Sequence, residues 1–73
     1  MTTIARYAQL SIKLREEIAA GKYDDTGRLP SLTALARQEH LSLSSVQRAL
    51  DPLKHDGLIY TEPGRGIYIR RLT

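Results

Sequence analysis

The chain has no cysteine, which excludes disulfides and thiolate zinc sites. Its two histidines, His40 and His55, fall in separate segments without metal-ligand spacing and read as a turn residue and a helix-end residue. No apolar run approaches the roughly 20 residues that a membrane span requires. Arg6, Lys13, Arg15, Glu16 and Glu17 interrupt residues 1–20, so no signal-peptide core is present there. There is no carboxylate pair set for acid–base work, no Ser/His/Asp arrangement and no phosphate loop, and 73 residues are too few to enclose a substrate. These absences point away from an enzyme, a cofactor or a membrane contact, and toward a cytoplasmic binding domain.

What is present suits one small domain, residues 1–73. A composition of 41% hydrophobic and 26% charged residues is globular rather than disordered. A chain this short buries only about 60% of its unfolded surface and must be compact. The net charge is +3 and unevenly placed. Arg6, Lys13, Arg15 and Lys22 are balanced by Glu16, Glu17, Asp24 and Asp25 in residues 1–27. Residues 58–73 carry Arg65, Arg70 and Arg71 against Glu62 alone, so the C-terminal end is the positive pole, a bias that suits a nucleic-acid contact.

The stretch from Ser31 to Leu53 holds two short helical patterns with almost no linker. Ser31 caps the first, because its side-chain oxygen can accept from an orphan amide of the first turn. Leu32, Leu35 and Ala36 follow at helical spacing. His40 and Leu41 form the break, and Ser42 caps the second helix. There Val46, Ala49, Leu50 and Leu53 make one apolar stripe, with Ser44, Gln47, Arg48 and Asp51 on the other side. A short helix, a tight turn and a second helix with a polar outer face is the layout of a helix-turn-helix. An ordinary helical hairpin with a solvated face has the same pattern, so the flanks decide.

Upstream, Thr2 or Thr3 caps a helix whose buried stripe is Tyr7, Leu10, Leu14 and Ile18 with Ile12 beside it, and Gly21 stops it. Lys22 to Gly27 is a turn-rich connector. Arg28-Leu29-Pro30 is extended, since a residue before proline is pushed out of the helical region, and could add an edge strand to a small sheet. Pro52 falls inside the third helix and predicts a kink, or a new turn from Asp51 to His55. Downstream, Leu58–Thr61 and Ile67–Arg71 read as strands joined by the turn Glu62-Pro63-Gly64-Arg65-Gly66. A hairpin directly after a helix-turn-helix is a wing. Arg65 between two glycines favours a DNA contact there over a hairpin that only closes the core.

Taken together, these residues resemble the N-terminal DNA-binding domain of GntR-family bacterial transcriptional regulators. The anchors are Tyr7, Gln9, Leu10, Leu14, Arg15, Ile18 and Gly21; Arg28-Leu29-Pro30-Ser31; Leu35-Ala36; Leu41-Ser42 with Val46, Ala49-Leu50 and Leu53; and Gly57-Leu58-Ile59 with Pro63-Gly64-Arg65-Gly66. The resemblance implies a mainly α winged helix-turn-helix of three helices and a small β-hairpin. It places the third helix in the major groove and the wing tip in the minor groove of a two-fold symmetric double-stranded DNA operator, as a repressor rather than an activator. The expected DNA-facing set is Arg28, Ser31, Thr33, Ser42, Leu43, Ser44, Ser45, Gln47, Arg48, Gly64, Arg65 and Gly66. Ser44, Gln47 and Arg48 read bases, Leu43 touches a thymine methyl, and Arg65 serves the wing.

The departures from the family pattern fall on the DNA side. Thr33, Leu43 and Gln47 stand where arginines are common, Arg48 where glutamate is, and His40 where the turn has glycine. Family members continue into a C-terminal domain that binds an effector and forms the homodimer. The chain therefore reads either as an excised domain or as a stand-alone small regulator, and is expected to be monomeric, or only weakly dimeric, in dilute solution. Two other functions fit the sequence. One is a winged-helix module for protein contact. The other is the DNA-binding part of a plasmid or phage replication, partition or transfer protein.

Overall fold

Leu10 and Leu14 of the first helix, Leu35 of the second, and Val46, Ala49, Leu50 and Leu53 of the third close on one another in the computed structural model, which describes residues 4–70. Leu29, Ile59 and Ile67 complete this core. Fully burying one such side chain contributes roughly 1.5–3 kcal/mol, so the cluster is the main source of stability. The elements in chain order are α1 (Arg6–Ala19), α2 (Leu32–Glu39), α3 (Leu43–His55), β1 (Ile59–Glu62) and β2 (Gly66–Ile69). This is the expected winged helix-turn-helix.

The helix ends show why the sequence stops and starts where it does. Ser31 Oγ accepts from the Ala34 amide at 3.1 Å, and Ser42 Oγ accepts from the Ser45 amide at 3.1 Å, the two expected caps. α3 ends in a Schellman motif: Gly57 takes φ 77°, the Leu58 amide donates to the Leu53 carbonyl at 2.9 Å, and the Gly57 amide donates to the Lys54 carbonyl at 3.0 Å. α1 ends the same way around Gly21. α2 ends on His40 in the left-handed region, φ 56° and ψ 45°, the one non-glycine residue with positive φ among the described residues.

Several expectations are corrected. Thr2 and Thr3 lie outside the described residues, and α1 begins after Ala5 with no side-chain cap. Tyr7 and Ile12 are exposed, and Ser11 is buried beside Leu10 and Leu14. At 100° per residue, residues 7, 10, 11 and 14 share one face and 12 lies well outside it; Tyr7, in the first turn of α1, is not part of the core cluster and meets Arg48 instead. Pro52 neither breaks nor restarts α3, which runs from Leu43 to His55. Its ring is exposed, a single turn follows it, and the Asp56 amide still donates to the Pro52 carbonyl at 3.0 Å. The only bond lost is the amide that would have met the Arg48 carbonyl on the solvent side. Leu58 precedes β1 rather than starting it. Arg71 lies outside the described residues.

The connector is tied back to α1 by one cluster. Lys22 Nζ donates to Glu17 at 2.9 Å, and Tyr23 Oη donates to the same carboxylate at 2.8 Å. Burial pushes the Glu17 carboxyl up, but the bonds from Lys22 and Tyr23 and the Lys22 charge outweigh it and hold its pKa below the usual value. Burial, then the bond to Glu17 and its charge, pushes the Tyr23 phenol up from 10.0 to about 12. Beyond the connector, the extended segment pairs with β2. The Leu29 amide donates to the Ile67 carbonyl at 2.9 Å, the Ile69 amide donates to the Gly27 carbonyl at 2.8 Å, and Arg28 bridges Tyr68. The expected edge strand is therefore present as a single bridge.

Two outcomes follow from these features. A left-handed non-glycine residue costs about 1–2 kcal/mol, part of which glycine gives back as unfolded-state entropy. His40→Gly should therefore stabilise the domain by about 1 kcal/mol, read as a rise of about 4–8 °C in Tm. The raised Tyr23 pKa means that its contribution is complete below about pH 10 and is lost as pH rises through about 12. Tyr23→Phe should flatten the fall in Tm over that window, measured by thermal melts against pH.

Candidate nucleic-acid interface

α3 turns Val46, Ala49, Leu50 and Leu53 inward, which leaves Leu43, Ser44, Gln47, Arg48, Asp51 and Lys54 exposed. One side of this exposed surface looks toward the wing. Between them lies an open cleft of about 570 Å³, walled by Gln47 and Lys54 of α3, Ser31 and Thr33 at the start of α2, Arg28, and Glu62 to Gly66 of the wing tip.

The wing tip is shaped by its own sequence. Pro63 and Gly64 occupy the centre of a β-turn closed by the Arg65 amide on the Glu62 carbonyl at 3.0 Å, with Gly64 at φ 74° as a type II turn requires. Gly66 follows at φ 129°, and a Cβ there would stand 3.5 Å from Arg28 Nη2. β1 and β2 pair antiparallel with Glu62 opposite Gly66 and Tyr60 opposite Tyr68. The Arg65 side chain is 77% exposed, with Nη1 a loose 3.8 Å from Glu62, so it is free to meet a partner.

Arg28 is held from two sides. Its guanidinium lies 5.7 Å from the Tyr68 ring centroid, and Nη2 donates to the Arg65 carbonyl at 3.5 Å. Tyr68 stacks on Tyr60 at 5.6 Å, and Arg70 lies 5.6 Å from the Tyr60 ring. The outer face of the wing is thus an arginine–tyrosine–tyrosine–arginine column. Arg48 does not line the cleft; it lies on the side facing α1, 5.7 Å from the Tyr7 ring.

The structure brings together seven of the twelve expected residues on the cleft: Arg28, Ser31, Thr33, Gln47, Gly64, Arg65 and Gly66. Leu43, half exposed, and Ser44 stand clear of it on the open face of α3. Ser42 and Ser45 are engaged with each other, the Ser42 hydroxyl donating to Ser45 Oγ at 3.0 Å on top of the capping bond. Sequence reasoning missed Lys54, although its distance of seven residues from Gln47 already placed both on one helix side. It also missed the tyrosine platforms: those under Arg28 and Arg48 join elements distant in sequence, and that under Arg70 depends on the register of the hairpin.

None of the described helices is long and apolar enough to cross a membrane. An uncharacterised HTH-type transcriptional regulator of Rhizobium meliloti (strain 1021) is 37% identical over 68 residues, 93% of this chain and 28% of that protein. The arabinose metabolism transcriptional repressor of Geobacillus stearothermophilus is 29% identical over 69 residues, 94% of this chain and 19% of the repressor. The chain spans 14–28% of the length of such curated relatives. A GntR family transcriptional regulator from Listeria monocytogenes superposes with a TM-score of 0.83 at 29% identity, over 94% of this chain and 60% of that one. The AraR DNA-binding domain in complex with operator ORE1 superposes with a TM-score of 0.83 over 93% of this chain and 83% of that one; at 24% identity this is a likeness of fold. The sequence model of the bacterial regulatory proteins, gntR family, matches residues 6–69, from the first residue of α1 to the last of β2. Because that match takes in every element of the winged helix, the chain belongs to the gntR family, a family of regulators and not of enzymes.

Proposed function

We propose that this chain is the sequence-specific double-stranded DNA-binding part of a transcriptional repressor, with α3 in the major groove and the wing tip in the minor groove. The observation that carries the reading is the shared cleft: the polar side of α3 and the basic wing tip open onto it together, in a domain of the gntR family. The arabinose repressor among its relatives supports repression over activation. Ser44, Gln47 and Arg48 meet base edges, and Leu43 meets a thymine methyl. Gln pairs bidentately with adenine and Arg with guanine, each worth about 1–3 kcal/mol of discrimination. One winged helix covers a half-site, so the operator is two-fold symmetric and tight binding needs two linked copies.

A protein-contact module is the second reading, favoured by the neutral Thr33, Leu43 and Gln47 on the surface that would face DNA. Selection of bound sequences from random duplexes separates the two. A recurring half-site is expected, and no enrichment over many rounds would leave the protein-contact reading in its place. On the selected site, Arg48→Ala should relax preference at one base position, whereas equal weakening on all sequences would make Arg48 a phosphate contact. Arg65→Ala should weaken selected and random duplexes alike and lower the salt slope by about 1. Unchanged affinity and slope would reduce the wing to a cover for the core.

A further inference from the structure

We propose that the cleft between α3 and the wing seats the single sugar-phosphate strand that divides the two grooves, with Lys54 as the cation that holds it from the α3 wall. The proposal rests on the reading of α3 and the wing tip as major- and minor-groove elements. In duplex DNA one backbone strand separates a major groove from the adjoining minor groove. A protein that places a helix in one and a hairpin tip in the other must accommodate that strand between them, and the open cleft lies there.

The charges single out Lys54. The sequence has three lysines. Lys13 is bound to Glu39 at 3.1 Å and Lys22 to Glu17 at 2.9 Å. Lys54 has no hydrogen bond or ion pair among the described residues, and it is the lysine that lines the cleft. Thr33 and Gln47 are neutral, so Lys54 is the one cation that α2 and α3 contribute to the cleft wall. On the opposite wall Arg28 is steadied by Tyr68 and the Arg65 carbonyl, while the one acidic side chain lining the cleft, Glu62, faces Arg65. A flexible ammonium stem acts as a point charge toward phosphate and carries no base information.

The test measures binding of the chain to a random-sequence DNA duplex across a salt series, with Lys54→Gln, Lys54→Arg and Lys13→Gln beside the wild type. Loss of one phosphate contact lowers the slope of log affinity against log salt by about 0.9. Lys54→Gln should show that drop, equally on selected and random duplexes, with an unchanged melting temperature. Lys54→Arg should restore the slope, and Lys13→Gln should keep it. If the wild type binds and Lys54→Gln keeps the full slope, the seat is overturned while the DNA-binding reading stands. A loss confined to one base position would overturn it in favour of a base contact. No binding of any duplex by the wild type would sink the DNA-binding reading and the seat with it.

Discussion

The pairing of residues 27–29 with β2 is the constraint on which the rest of the structure depends. An isolated two-stranded hairpin is at best marginal in water. Here the hairpin gains a partial third strand through the Leu29 amide on Ile67 and the Ile69 amide on Gly27, and Leu29 and Ile67 are both buried. The same segment continues into Pro30 and Ser31, so the residue that caps α2 is fixed relative to the wing by two covalent steps. Arg28, between those paired backbone groups, has its side chain delivered to the wing tip. One short extended run therefore sets the cleft width, the start of the helix-turn-helix and the attitude of the wing.

Charge is distributed so that the α1 side is largely spent. Arg6 donates to the Glu39 carbonyl, Lys13 pairs with Glu39, Arg15 with Asp56 and Lys22 with Glu17. Exposed pairs of this kind contribute only about 0–1 kcal/mol each, so their effect is more on where free charge remains than on stability. Arg28, Arg48 and Arg70 rest instead on tyrosine rings. A cation over a ring gains about 0.5–1 kcal/mol at an exposed site without losing its charge. The tyrosines order long side chains and leave the guanidinium donors available, which a carboxylate partner would not.

Much of this was legible from local signals. Ser31 and Ser42 marked helix starts, Gly21 and Gly57 marked ends, and the stripe through Val46, Ala49, Leu50 and Leu53 located the buried face of α3. What was not legible depended on contacts between distant elements. Tyr7 looked like a core residue because its spacing to Leu10 and Leu14 is helical, but in the first turn of α1 it is exposed and meets Arg48 instead. Pro52 looked like a break because the rule against interior proline is local, whereas an exposed position one turn from the end makes the lost bond cheap. The cleft itself was half legible: the sequence named residues on each wall, but only the pairing across residues 27–29 shows that they face one another.

The exposed face at the start of α3, which we propose meets DNA, is poor in charge. Leu43, at the first position of α3, is 51% exposed, and exposing that much apolar surface forfeits part of the stabilisation its burial would supply. Gln47 and Ser44 beside it carry no charge. If this face meets DNA as proposed, it recovers little from counterion release and more from direct fit, a methyl against leucine and an adenine edge against glutamine. The cations are instead at its borders, Arg48 toward α1 and Lys54, Arg28 and Arg65 around the cleft. On the proposed reading, discrimination rests on Leu43, Ser44, Gln47 and Arg48, while Lys54, Arg28 and Arg65 around the cleft supply affinity that does not depend on the sequence.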